Sequence, residues 1–312
     1  MHEHLPVTAR QLIVLLAIGL IWGASFLFVR VLVVAGMQPF GVSGARCLLG
    51  AVSLAPVAYL LRDRFPRDRK TWTWLVALGL FNFAIPWTLF SLGQKHVPSG
   101  IGSIANSALP LSAAVISTIM IKTERLGPTR IVGLLLGFAG VLVVVSGRVD
   151  GLDEESLLGI PPMLLATLFY GVCIVSIRKY LSHVPALPLT FAQIGVAALA
   201  LMPLALATGS FSDVSMGWQE WTSLLVLGVA GSGLTPGLYM WLIGEVGPVR
   251  AGVATYLMPP VGLVLGRVFL GEAVGWSMAV GLVLIVAGVA VVQGRLHSLR
   301  GALHLRPATL RA

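Results

Sequence analysis

Apolar residues along this chain gather into long, nearly unbroken runs, and polar residues are confined to the short stretches between them. A helix needs about 20 apolar residues to cross the hydrocarbon core of a bilayer. Ten runs approach that length: 11–35, 39–61, 72–94, 98–121, 129–147, 158–180, 187–207, 219–243, 249–270 and 275–293. Their hydrophobicity is continuous rather than strictly alternating, which predicts helices and not a membrane barrel. The first run is too long for the apolar region of a signal peptide. Arg30 and another spanning run follow it, so it is expected to remain as a helix. The predicted fold class is an all-α integral membrane protein with ten transmembrane helices. The connections are too short for a separate soluble domain.

The pattern is also written twice. Shifted by one constant offset, Glu124 falls on Glu272, Gly127 on Gly275, Gly133 on Gly281 and Gly140 on Gly288. Trp22-Gly23 falls on Tyr170-Gly171 and Arg30 on Arg178 at that same offset. One residue more aligns Leu78-Gly79 with Leu227-Gly228, Phe90 with Tyr239 and Pro110 with Pro259, and Pro86 falls near Pro236. An echo of this extent dictates architecture before any local feature does. It divides the chain into units at 11–147 and 159–293, followed by a basic tail at 294–312. Each unit has five spans, an odd number, so the second enters the membrane from the opposite side. Two inverted five-helix repeats are a known plan for transporters.

Composition places the chain in the membrane class. It is 57% hydrophobic and 11% charged, where a soluble protein carries about 25% charged residues. The mean hydropathy is +0.92. The net charge of +9 sits in clusters between the runs, which signals topology and not a nucleic-acid partner. With ten spans, Arg10, the cluster Arg62, Arg64, Arg67, Arg69 and Lys70, then Lys122, Arg125, Arg130, Arg178, Lys179, Arg250 and the tail arginines share one side. Lys95, Arg148 and most of the acids share the other. The expectation is a multi-pass protein of the cell membrane with both termini cytoplasmic and 148–157 outside. Trp72, Trp74, Trp218, Trp221 and Trp276 stand at run ends, where an aromatic belt belongs. Cys47 and Cys173 lie inside runs and read as inert buried thiols.

These features resemble the drug/metabolite transporter superfamily, specifically the EamA-type permeases with two EamA repeats. The residues that carry the resemblance are Trp22-Gly-Ala-Ser25, the Ala-x-x-x-x-Pro pattern at Ala105–Pro110 and Ala254–Pro259, the Leu270-Gly-Glu272 turn and the glycine-rich fifth helix of each half. The first half departs from the pattern. It has Lys122-Thr-Glu124 where the second has Leu-Gly-Glu, with one residue's difference in spacing after Pro110. The resemblance implies a ten-helix bundle. Helices one, three and four of each half would line a central cavity, and the last helix of each half would pack outside.

Candidate site residues follow from polar groups at membrane depth. Ser99, Ser103, Asn106 and Pro110 share one face of the fourth run, with Asn106 the costliest to expose to lipid. Asn82 and Trp87 in the third run, and Ser232, Thr235 and Tyr239 in the eighth, are further candidates for the cavity wall. So are Ser25 and Thr255, and the equivalent pair Trp22 and Tyr170. Arg30, Arg46 and Arg267 lie within or near the ends of spans, and an arginine at bilayer depth normally faces protein or water. Arg30 and Arg267 are placed for snorkelling, whereas Arg46 is too deep for it. Pro110, Pro259 and Pro260 each remove a backbone donor inside a span, which makes them hinge candidates or packing kinks. Glu124 and Glu272 read as helix-end turn charges ahead of gates. The Gly133-x-x-x-Gly137 and Gly262-x-x-x-Gly266 patterns serve close helix approach inside the bundle, with homodimer formation as the alternative.

No enzyme reading holds together. Gly41-Val-Ser43-Gly44 resembles an intramembrane serine protease motif, but every histidine lies at or beyond a run end, so nothing at depth would activate the serine. No motif for a metal or another cofactor is present. The expectation is a secondary transporter, and more narrowly an exporter. It would move a small metabolite such as an amino acid or organic acid, or a drug, by alternating access. A non-transporting receptor or sensor built on the same bundle is the alternative. No carboxylate lies in mid-span and the deepest charge is Arg46, which favours an anionic or zwitterionic substrate over a permanent cation.

Overall fold

A computed structural model describes residues 8–121, 127–146, 158–246 and 251–292. Ten helices account for them: α1 Ala9–Val34, α2 Pro39–Leu60, α3 Arg69–Gly93, α4 Ser99–Met120, α5 Pro128–Ser146, α6 Ile160–Tyr180, α7 Ala186–Ala207, α8 Trp218–Val246, α9 Val253–Leu270 and α10 Trp276–Val292. Eight are long and apolar enough to cross a bilayer, while α5 and α10 contain shorter apolar helices, Ile131–Val144 and Trp276–Val291. Local chemistry sets several ends. Thr8 and Gln11 form a capping box at α1, and Pro39 opens α2 at a position where its missing N–H costs nothing. The α3 helix begins at Arg69, earlier than its apolar run, because the Asp68 carboxylate accepts the Thr71 N–H at 2.8 Å.

The helices pack as the repeat requires. The most extensive contact joins α5 to α10, followed by α2 with α7. Each of these pairs consists of counterparts from the two halves. Other contacts come in exchanged sets: α1 on α9 matches α6 on α4, α1 on α8 matches α6 on α3, and α2 on α8 matches α7 on α3. A pseudo-twofold axis therefore relates the halves, and their helices are interleaved.

Glycines mark the crossings. A Cβ on Gly23 would fall 2.7 Å from the Val261 side chain, and one on Gly171 would fall 2.9 Å from the Ser112 backbone. Gly23 and Gly171 are repeat partners, as are Ser112 and Val261. Likewise Gly140 lies against Gly281, and Gly288 against Gly133 and Gly137. The Gly262 and Gly266 pair faces Ser103 and Ser99 of α4, within the bundle.

The outer face is apolar at depth. Leu142, Leu199, Val268, Phe269 and Val283 are each about two-thirds exposed or more. A soluble protein hides such a surface, whereas acyl chains cover it without cost. The chain is a multi-pass membrane protein.

Four helices are irregular, at matched places. The α3 helix widens into a π turn at Leu80–Ala84, and α8 does so at Val226–Leu234. A proline follows each, Pro86 and Pro236, leaving the Asn82 and Ser232 carbonyls without their usual donor. The α4 helix breaks at Ser107–Ala108, between Ser99–Asn106 and Leu109–Met120. The α9 helix breaks at Leu257, between Val253–Tyr256 and Met258–Leu270. Pro110 deprives the Asn106 carbonyl of a donor, Pro259 deprives that of Thr255, and Pro260 that of Tyr256.

Candidate functional site

Arg46 is the centre of the polar interior. It leaves α2 at a point where Gly44 and Gly50 let α7 and α8 approach closely. The side chain is only 8% exposed. Its guanidinium carbon lies 3.6 Å from the centre of the Trp87 ring on α3, and its Nε donates to the Ser232 hydroxyl on α8 at 3.1 Å. Ser232 in turn donates to the Leu227 carbonyl at 2.9 Å, inside the π segment. Tyr170 of α6 is the next group to feel the charge, and Trp87 lies beside its hydroxyl. Among the described residues no carboxylate pairs with Arg46. Their acids, Asp63, Asp68, Asp213, Glu220, Glu245 and Glu272, all stand at helix ends or in connections. A buried guanidinium without an anion is costly, because its desolvation is not repaid by a counter-charge.

Two aromatic pairs flank this centre. Trp22 and Tyr239 meet with ring centroids 5.1 Å apart, and their repeat counterparts Tyr170 and Phe90 stack at 6.2 Å. The Trp22 indole N–H donates to the Gly231 carbonyl at 3.1 Å, again in the π segment. Ser25 lies against Gly231 and donates to the Ile21 carbonyl at 3.0 Å. Any side chain at 231 would displace the Ser25 hydroxyl. Four residues singled out in the sequence, Arg46, Trp87, Tyr170 and Ser232, thus converge from four helices, with Trp22, Ser25 and Tyr239 beside them. Arg46 and its α2 backbone lie outside the helices that the family resemblance names as cavity lining.

The remaining candidates lie apart from that convergence. Asn82, in the π turn of α3, donates to the Gln193 Oε1 at 3.0 Å. Thr235 is fully buried and donates back to the Ala230 carbonyl at 2.7 Å. Ser103 is buried at the α4–α9 crossing, donating to the Gly100 carbonyl at 2.7 Å. Asn106 is half-buried at the end of the first α4 segment, and Thr255 holds the equivalent place in α9, donating to the Gly252 carbonyl at 2.8 Å. Pro259 is buried and Pro260 exposed, just after the α9 break, while Pro110 is half-buried after the α4 break. Arg30 donates to the carbonyls of Gln94 and Lys95, the latter at 3.0 Å, and so closes the end of α3. Glu124, Arg148 and Arg250 lie outside the described residues.

Sequence reasoning missed several buried polar groups. Ser43 and Ser91 lie 3.4 Å apart between α2 and α3. Gln193 and Gln94 are fully buried, and among the described residues Gln193 Nε2 and Gln94 Oε1 have no hydrogen-bond partner. The matched prolines 86 and 236 were the available signal for the π segments. Among the described residues no three His, Cys, Asp or Glu side chains converge as a metal site would require. A small apolar hollow of about 10 Å³ between α4, α5, α6 and α10 and an outer groove of about 480 Å³ between α9 and α10 both lie away from Arg46.

The sequence profile of the EamA-like transporter family matches residues 10–146 and again 157–293. The chain belongs to the EamA-like transporter family. An uncharacterized transporter of Bacillus subtilis is 26% identical over 96% of this chain and 96% of its own length. A Salmonella typhimurium protein named "Probable amino-acid metabolite efflux pump" is 25% identical over 88% of this chain and 92% of its own. A solved crystal structure superposes with a TM-score of 0.61 over 93% of this chain and 99% of that one, at 22% identity, which is a likeness of fold. The two-repeat membrane bundle is the architecture of the EamA-like family.

Proposed function

We propose that this EamA-like protein is a secondary transporter that exports an amino acid or a related organic acid across the cell membrane by alternating access, with Arg46 as the anchor for the substrate carboxylate. The observation that carries this reading is the buried Arg46 guanidinium, stacked on Trp87 and, among the described residues, without a carboxylate partner. A guanidinium presents two parallel donors to a carboxylate, and in a dry site that pairing is strong. The same charge repels a permanent cation. The amino-acid efflux pump named among the relatives supports the substrate class. The matched breaks in α4 and α9 support alternating access, since a twofold-related pair of joints lets two conformations exchange about a central site. Both termini face the cytoplasm in this reading, as the lysine and arginine distribution requires.

The test is counterflow in proteoliposomes across a panel of amino acids, organic acids and quaternary cations, with Arg46→Gln alongside. The expected outcome is transport of at least one acid and apparent affinity lower by about 10-fold or more in Arg46→Gln, the worth of a charged hydrogen bond. Transport of quaternary cations with every acid ignored would overturn the substrate class. Ligand binding without any flux would favour a receptor or sensor on the same bundle.

A further inference from the structure

At one end of the bundle a carboxylate of the second half reaches across to the first, near the Gln38 N–H bond to the Ser210 carbonyl at 3.1 Å that also joins the halves there. Gly271 ends α9 in the left-handed conformation, with φ of 65°, a geometry that favours glycine. The Glu272 N–H then bonds back to the Gly266 carbonyl at 3.2 Å. This turn aims the Glu272 side chain at the start of α4, in the other half. Its carboxylate accepts the Ser99 N–H at 2.8 Å, the Ser99 hydroxyl at 2.7 Å and the Gly100 N–H at 3.4 Å. The first α4 segment, Ser99–Asn106, follows Pro98 and has no side-chain cap of its own. The negative charge that its N-terminus favours is supplied from the second half. Gly266 leaves the space for this, since a Cβ there would collide with both the Glu272 carboxylate and the Ser99 hydroxyl.

The surroundings distinguish this contact from an ordinary helix cap. Ser99–Asn106 is a short lever, jointed at its inner end by the break at Ser107–Ala108. The α9 helix is jointed at the matching position, Leu257. At the same end of the bundle Arg30 of α1 holds the Gln94 and Lys95 carbonyls, and Lys95 donates to Gln38 at 3.0 Å. Those fastenings lie within the first half. Glu272 reaches across from the second. Arg267 of α9 stands beside the same turn, its guanidinium donating to the Glu272 carbonyl at 3.5 Å.

We propose that Glu272 is the latch that closes the transport path at this end, opposite the termini, and that its release from Ser99 and Gly100 frees the Ser99–Asn106 lever to swing. The inference rests on the transporter reading above, and its test is read independently of transport. Nitroxide labels are placed at Leu92→Cys and Val274→Cys, both at exposed positions, in a Cys47→Ala, Cys173→Ala background in nanodiscs. The distance distribution is measured by pulsed electron resonance. The background protein should give one short distance. Glu272→Ala should add a longer one and raise the open-to-closed ratio about 10-fold, the loss expected for charged hydrogen bonds. Ser99→Ala, which removes one of the three bonds, should give a smaller rise, and Glu272→Gln an intermediate one. A cap with only a structural role would lower the unfolding temperature without creating the second distance, and that result would overturn the latch. Unchanged distributions in all three variants would overturn it equally. A longer distance in Glu272→Ala, with no acid transported by the parent protein, would uphold the latch while removing the proposed substrate.

Discussion

At the scale of single residues, Arg46 carries the most information. Its neighbours are a ring face and a hydroxyl, each of which tolerates a cation without neutralising it. Arg46→Lys therefore separates charge from geometry. A lysine keeps the positive charge but loses the planar fork and most of the stacking on Trp87. Transport of the acid substrate should persist in Arg46→Lys with apparent affinity intermediate between the parent and Arg46→Gln, as read in the same counterflow assay. Equal loss in the two variants would show that bidentate geometry and not charge is the requirement. Arg46 was legible in the sequence as a deep cation, because insertion cost is a one-dimensional property of a run. Its partners Trp87 and Ser232 were legible only as separate candidates. Gln193 and Gln94 were not singled out, because an uncharged amide gives no local sign of whether its partners lie across the bundle.

At the scale of elements, the glycine-lined crossings and the broken helices make opposite demands. Gly140 and Gly281 bring α5 and α10 into backbone contact, and a Cβ at 140 would fall 2.7 Å from the Gly281 carbonyl oxygen and 2.8 Å from the Ile285 nitrogen. Backbone cannot yield as a flexible side chain does, so Gly140→Ala should destabilise by about 1–3 kcal/mol. Gly195 in α7 has nothing within 4 Å of its Cβ position, and Gly195→Ala should stabilise by up to about 1 kcal/mol through helix propensity. Thermal unfolding in detergent should move the two variants in opposite directions. The breaks require looseness instead. Pro110→Ala combined with Pro259→Ala restores donors to the Asn106 and Thr255 carbonyls and stiffens both joints. Turnover should fall severalfold at matched expression, while Pro56→Ala, on the exposed face of α2, should leave it unchanged. Normal turnover in the double variant would reduce both prolines to packing kinks.

At the scale of the whole molecule, the pseudo-twofold axis and the side of each loop belong together. If both termini are cytoplasmic, the α2–α3 connection is inside and the α7–α8 connection outside. Asp63 and Ser212 are exposed in those two connections. In a cysteine-free background in intact cells, Ser212→Cys should react with an impermeant thiol reagent and Asp63→Cys should not. The reverse pattern would invert the orientation and move the Glu272 latch to the cytoplasmic end. Other contacts join the halves at the opposite end. There Gln11 of α1 donates to Glu245 of α8 at 3.2 Å, and Arg10 lies over Trp241. Both are exposed, partly wet contacts of small worth. At that end the Thr71 hydroxyl also lies 3.3 Å from His183 Nε2, and the Trp74 and Tyr180 rings stack with centroids 4.1 Å apart.

The sequence by itself determined the number of helices, their membrane character and the duplication, and its glycines marked the fifth and ninth runs for close approach without naming a partner. Each of these depends on properties read locally: run length, the offset between matching residues and the absence of a side chain. Only the tertiary structure decided which polar groups meet. Arg46 and Ser232, or Ser99 and Glu272, are far apart along the chain, and their encounter depends on how each helix is rotated about its own axis. An amphipathic soluble helix announces that rotation by its polar face. Helices such as α1 and α10 are apolar nearly all round, because lipid and protein interior are equally oily, and so they give no such sign. The rotation is fixed by close packing at the glycine crossings, by the π segments of α3 and α8, and by the few buried hydrogen bonds that each find one partner.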